Sequence, residues 1–197
     1  VMGLAPYGEP KYKDLILEKL IDLKEDGSFR LDQSYFNYAT GLTMVSKKFS
    51  DLFGKPVRKP ETDKLTQFHM DIAASIQAVI EEILLIMTRA LAKEYNIPNL
   101  CMAGGVALNS VANGKLLRDQ QFKDIWVQPA AGDAGGALGA ALSVWHKELN
   151  KPRTVNSMDS MQGAYLGPAY DQKGIEDRLT KCGARFDIVS EENVLEQ

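Results

Sequence analysis

Two short apolar runs, each closed by small residues and each followed by a helical pattern, restrict this chain more than any other feature. "NLCMAGG" at 99–105 leads into "VALNSVANGKLLRDQQ", and "DIWVQP" at 124–129 leads into "AAGDAGGALGAALSVWHKEL". Such runs have strand length, whereas the stretches behind them carry helical spacing. Strand, helix, strand, helix in this order predicts an α/β chain with a buried, partly parallel sheet. In such sheets ligands bind where strands end and helices begin. Both glycine-rich junctions should therefore face one cleft from the same end of the sheet.

The rest of the chain supplies what such a sheet packs against. From Leu65 to about Tyr95, apolar residues fall at Leu65, Phe68, Ile72, Ile76, Ile80, Ile83, Leu84, Met87 and Leu91, the stripe of a long helix with one wide buried face. It should end before Pro98, which disfavours helix in the residue ahead of it. Upstream, "YKDLILEKLIDLKEDG" predicts a helix stopped by Gly27, "SFRLDQSYFNY" a strand or hairpin arm, and "GKPVRKPETD" a basic surface connection. Past residue 150, "NKPRTVNSMDSMQ" reads as a linker. "GAYLGPAY", "QKGIEDRLTKCG", "RFDIVS" and "EENVLEQ" read as the β-α-β-α opening of a second domain. At 197 residues one good core is expected, with part of another, taking roughly 150 residues per domain. The opening "VMGLAPYG" resembles neither an initiator nor a signal peptide, so a stretch from within a longer protein is expected.

Composition excludes several function classes. A net charge of −3 provides no footprint for nucleic acid or an anionic membrane, and no apolar run reaches the ~20 residues of a membrane span. Cys101 and Cys182 form no CxxC pair, which argues against a disulfide or zinc framework and for a reducing, cytoplasmic setting. Cys101 is expected as a small core residue of its strand. His69 and His146 lack partners at ligand spacing and are expected to be solvated or capping. There is no Ser-His-Asp set and no Walker A loop.

The two junctions carry the candidate site. Gly104 and Gly105 either let a phosphate or sugar approach the backbone or simply make a tight turn. Asn109, one turn into the following helix, could read a base or ribose. Asp133 is either a helix cap, its oxygen accepting a backbone N–H, or a ligand for a hard cation. Ala134, Gly135, Gly136 and Gly139 would let that helix approach a ligand or another backbone closely. "VMGLAPYG" could wall a pocket, with Tyr7 its only polar side chain.

Taken together, "VMGLAPYG", "HMDIAASIQ", "AGGVALNSVANGKLL", "QPAAGDAGGALGAAL" and "GAYLGPAY" resemble, in order, the O-carbamoyltransferases of antibiotic and nodulation-factor biosynthesis, the NodU/CmcH type. The two junctions also resemble those of the tRNA threonylcarbamoyl-adenosine transferases. The resemblance implies an actin-like ATPase (ribonuclease H-like) superfold lobe, a mixed sheet with flanking helices. Residues 1–150 would be the second lobe of the carbamoyltransferase domain, 151–162 a linker and 163–197 the lead-in to a truncated YrdC-like domain. It implies that carbamoyl phosphate and ATP yield carbamoyl adenylate, whose carbamoyl group passes to a hydroxyl of a small acceptor such as a sugar, an antibiotic or a nodulation-factor-like molecule. Gly104, Gly105, Asn109, Gly135 and Gly136 become nucleotide-binding candidates, and Asp133 a ligand of a divalent metal, iron in such proteins. The family's HxxxH pair is absent here, so the metal site would be incomplete and the stretch inactive alone. Two alternatives remain at this point: a sugar kinase or ATPase of the same superfold, and a non-catalytic nucleotide-binding domain. Apolar surface left by a missing lobe would also favour a homo-oligomer.

Overall fold

The computed structural model describes residues 1–155, 158, 160–165 and 167–190. The chain divides into two units, Val1–Pro152 and Arg153–Gln197. The first is built on one long helix, α3 (Gln67–Tyr95). It begins where the Thr66 backbone N–H donates to His69 Nδ1 at 3.0 Å, so His69 does cap. It ends on Asn96 in the left-handed conformation, two residues before Pro98. Its apolar stripe forms the core: Val79 and Ile83 are buried with Ile16, Leu20, Tyr35 and Phe53, and Phe68, Ile72, Ile76 and Met87 pack against them.

The segment before α3 departs from its expected form. Helix α1 (Lys13–Lys19) stops well short of Gly27, and the chain turns into an antiparallel hairpin, β1 (Ile21–Leu23) with β2 (Phe29–Leu31). The Asp32 N–H donates to the Leu20 carbonyl at 2.9 Å, closing the hairpin where a helix would have continued. Packing overrides local propensity here. Gly27 sits in the turn at φ +81°, and a Cβ there would lie 2.5 Å from the Met87 backbone, so only glycine lets the hairpin tip rest on α3. Helix α2 (Lys47–Phe53), ended by Gly54, then supplies Phe49 and Phe53, whose rings meet at 4.8 Å, while Tyr12 meets Phe53 edge-on at 5.6 Å.

The opening segment is clamped onto the first turns of α3 by a buried carboxylate. Asp71, 4% exposed, accepts hydrogen bonds from the Glu9 N–H at 2.9 Å, Gln67 Nε2 at 2.9 Å and Lys11 Nζ at 3.2 Å. Ser75 Oγ accepts from the Tyr12 N–H at 3.0 Å, and Gln67 Nε2 donates to the Tyr7 carbonyl. The Glu9 N–H first, then Gln67 and Lys11, hold the Asp71 carboxyl below the usual carboxylate range. A depressed folded-state pKa contributes stability that is complete above the unfolded value of about 3.9 and fades as pH falls below it. Wild type is therefore expected to lose stability progressively as pH falls below about 4. Asp71→Asn should be less stable at neutral pH and show a flatter acid limb, read as urea midpoints across that range.

Strands β3 (Asn99–Met102) and β4 (Asp124–Val127) pair in parallel, with Asn99 opposite Asp124 and Met102 opposite Val127. Helix α4 (Ser110–Asp119) connects them, and α5 (Asp133–Ser143) follows β4. The mixed α/β class holds. The sheet, however, is not buried: exposed and half-buried residues alternate along both strands, and Cys101 is exposed rather than in the core. The described residues form two separate two-stranded sheets, one antiparallel and one parallel, not one mixed sheet. α5 buries none of its residues. No described helix is long and apolar enough to cross a membrane.

In the second unit, α6 (Gln172–Lys181) is capped by Asp171, which accepts from the Gly174 N–H at 2.8 Å. The strands expected in "GAYLGPAY" and "RFDIVS" are absent among the described residues, and no described residue of this unit is buried. A strand needs a neighbour to satisfy its backbone, and these segments pair with no strand among the described residues. "EENVLEQ" lies outside the described residues.

Candidate functional site

The two glycine junctions leave the same end of the parallel pair and are tied together. Beyond β3, Gly104 adopts φ +97°, ψ 160°, a conformation essentially reserved for glycine, and its N–H donates to the Ala131 carbonyl at 2.8 Å beyond β4. Gly104 therefore contributes backbone shape, and its own N–H is already spent. A 3-10 turn, Gly105–Leu108, then leads to α4. The opening segment joins them, since Ser110 Oγ lies 3.7 Å from Met2 Sδ. Three segments distant in sequence thus meet around residues 104–110.

The glycines separate into those the fold requires and those it does not. Gly135 is required, because its N–H donates to the Ala130 carbonyl at 2.8 Å and a Cβ would lie 2.5 Å from that oxygen. Ala130 itself is held at φ +51°, an uncommon conformation for alanine. Gly105, Gly132, Gly136 and Gly139 face open space, with nothing within 4 Å of a Cβ. Packing does not explain glycine at those four positions.

Asp133 is not the helix cap. Gly132 holds that position, and Asp133 is the first residue of α5, its backbone already helical. Its carboxylate is exposed and makes no hydrogen bond or ion pair with the described residues. A charge there is favoured by the helix dipole, to the extent of about 0.3–1 kcal/mol. No cluster of three or more His, Cys, Asp or Glu able to hold a metal occurs among the described residues. Asp133 is a free hard-oxygen donor that fits one ligand's share of a metal site, not a whole one. His146 Nδ1 bonds to the Lys151 carbonyl at 2.9 Å and is not placed to join it.

Asn109 is likewise one step from its expected place: it caps α4 rather than lying within it, because its Oδ1 accepts the Ala112 N–H at 3.1 Å. Its amide is also paired reciprocally with Gln77 of α3, which donates to Oδ1 at 3.1 Å and accepts from Nδ2 at 2.9 Å. Gln77 Nε2 donates in addition to Glu81 Oε1 at 2.9 Å, and Glu81 Oε2 is bound by Lys115 of α4. Gln77 and Glu81 are both buried. Sequence reasoning missed them, although polar pairs four apart in an apolar helix, Asp71 with Ser75 and Gln77 with Glu81, were there to be noticed. Beneath the 3-10 turn, Asn113 Nδ2 donates to the Ala107 carbonyl at 2.7 Å.

A family profile described as "Carbamoyltransferase N-terminus" matches residues 1–142. The chain belongs to the carbamoyltransferase family. It is 37% identical over 191 residues to the nodulation protein NolNO of Sinorhizobium fredii and 35% identical over 196 residues to the nodulation protein NolO of Bradyrhizobium diazoefficiens. It is also 59% identical over 196 residues to an uncharacterised protein of Synechocystis. These alignments cover 95%, 98% and 98% of this chain but only 25%, 33% and 32% of the relatives. The chain thus spans a third or less of their length. Family membership favours a transferase over the kinase and non-catalytic readings.

Proposed function

We propose that the full-length protein is an O-carbamoyltransferase in which residues 1–150 form the second lobe of an actin-like ATPase-type domain and hold the nucleotide part of carbamoyl adenylate. On this reading 151–162 is the linker and 163–197 leads into a YrdC-like domain. The observation that carries it is the Gly104–Ala131 hydrogen bond, which sets two glycine junctions side by side at the ends of parallel strands in a chain of this family. Gly105 and Gly136, open and without a packing reason to be glycine, provide the close backbone approach. Gly104 and Gly135 shape the two turns, and Asn109 offers its one uncommitted amide N–H.

In the transfer step, the acceptor's hydroxyl oxygen forms a bond to the carbamoyl carbon. The bond from that carbon to the AMP phosphate oxygen breaks, AMP leaves with the electron pair, and the hydroxyl proton is lost. A divalent cation such as iron, held in part by Asp133, would supply polarisation of the carbamoyl carbonyl. ATP and carbamoyl phosphate as donors place the reaction in the cytoplasm.

The test is incubation of the full-length protein with ATP, carbamoyl phosphate and a panel of sugar and aminoglycoside acceptors. AMP release that requires carbamoyl phosphate, with a carbamoylated product by mass, is expected. ADP release with a phosphorylated acceptor, independent of carbamoyl phosphate, would establish the kinase reading instead. The 197-residue stretch alone should be inactive, since the described residues offer Asp133 as one ligand and no cluster able to hold a metal.

A further inference from the structure

The chain Lys115–Glu81–Gln77–Asn109 runs from the surface of α4 through the buried face of α3 to the first residue after the 105–108 turn. Its polarity allows only one arrangement. A carboxylate can only accept, so Glu81 requires the NH₂ end of Gln77 to face it. Gln77 Nε2 then has its second N–H for Asn109 Oδ1, and Gln77 Oε1 must accept from Asn109 Nδ2. Independently, the Ala112 N–H can only donate, and it requires the same Asn109 oxygen. A backbone donor on one side and a buried carboxylate on the other thus agree on which end of the Asn109 amide is carbonyl and which is NH₂. Neutral amides flip readily between two shapes of equal volume; this one is denied the choice.

We propose that Gln77 and Glu81 are positioning residues: they fix the amide of Asn109 so that its single uncommitted N–H serves as a hydrogen-bond donor to the bound nucleotide. Lys115 neutralises the carboxylate that sets the direction of the relay, and its ammonium, half-exposed, links the device to α4 itself. The proposal rests on the nucleotide reading of the 104–109 turn. It accounts for a costly arrangement, because the buried Glu81 carboxylate and the buried Gln77 amide are groups that apolar side chains of similar size often replace without loss of stability. It also gives a reason for polar groups to join α3 and α4 at this level.

The experiment uses the full-length enzyme, with steady-state kinetics in ATP and in carbamoyl phosphate and direct ATP binding by equilibrium dialysis. Gln77→Glu keeps the shape but removes both donors, and Gln77→Met removes the polarity. Each is expected to raise the KM and Kd for ATP by about tenfold, the loss of one oriented hydrogen bond. The KM for carbamoyl phosphate and kcat at saturating ATP should stay within about twofold. If either variant fails to fold, Glu81→Gln keeps the volume and frees Gln77 to flip, with an expected loss of ATP affinity of about threefold to tenfold. A fall in kcat and melting temperature with unchanged ATP affinity would reduce the relay to a packing element and overturn the proposal. Wild type that binds no ATP would overturn the nucleotide reading beneath it, whereas wild type that binds ATP alongside variants that bind it equally well would overturn the relay alone.

Discussion

In the full-length protein, Asp133→Asn is expected to lower carbamoyl transfer by at least about a hundredfold, given that even the partners of metal ligands often contribute ten- to a hundredfold. Bound metal per protomer should fall in parallel, while the melting temperature stays nearly constant. The reason for the last expectation is structural. Asp133 is exposed, has no partner among the described residues and does not cap α5, so the fold depends on it only through its favourable place at a helix N-terminus. Exposed substitutions of this kind usually change stability by no more than about 0.5 kcal/mol. The measurement is metal content by elemental analysis beside thermal melts of both proteins. A lower melting temperature with full metal content and full turnover would return Asp133 to a purely structural role.

Gly8→Ala should be strongly destabilising. A Cβ at Gly8 would lie 2.0 Å from the Met70 carbonyl oxygen, 2.2 Å from its carbon and 2.6 Å from the Asp71 nitrogen. All three are backbone atoms of α3 and cannot swing aside. The Gly8 backbone is itself extended, at φ −119° and ψ 173°, so the requirement for glycine is one of proximity and not of conformation. To admit the methyl the segment must lift from α3, and Asp71 would then lose the Glu9 N–H and keep a buried charge with fewer partners. The expected loss is about 3 kcal/mol or more, at the upper end for overpacking, measured as a shift in urea midpoint at constant slope. Gly3→Ala is the matched comparison: it meets nothing within 4 Å and should leave the midpoint within experimental error.

The site was legible in the sequence to different depths. The paired junctions were readable because small residues behind a strand-length apolar run have few other uses, and the structure does bring Gly104, Gly105, Asp133, Gly135 and Gly136 to one end of the parallel pair. What each glycine is for was not readable. Gly135 answers to the Ala130 carbonyl and Gly104 to its own backbone conformation, whereas Gly105 and Gly136 answer to nothing in the fold. Gln77 and Glu81 were passed over because a polar residue on a long helix is ordinarily on its wet face, and burial does not show in a single sequence.

The sequence by itself determined the long α3, since its apolar spacing, the Thr66–His69 start and the Asn96–Pro98 stop all act within a few residues of one another. It determined the strand-turn-helix order for the same reason, each element being specified by local spacing. Only the tertiary structure decided that the helix after Lys19 gives way to a hairpin, because the Asp32 N–H and the Met87 backbone that hold the hairpin are distant along the chain. It alone placed the cap of α5 at Gly132 and bound Asn109 to α3, which left Asp133 free and Asn109 with one N–H to offer. Propensity is a sum of local terms, whereas the side chains that remain uncommitted are known only after every packing and hydrogen-bond partner has been assigned.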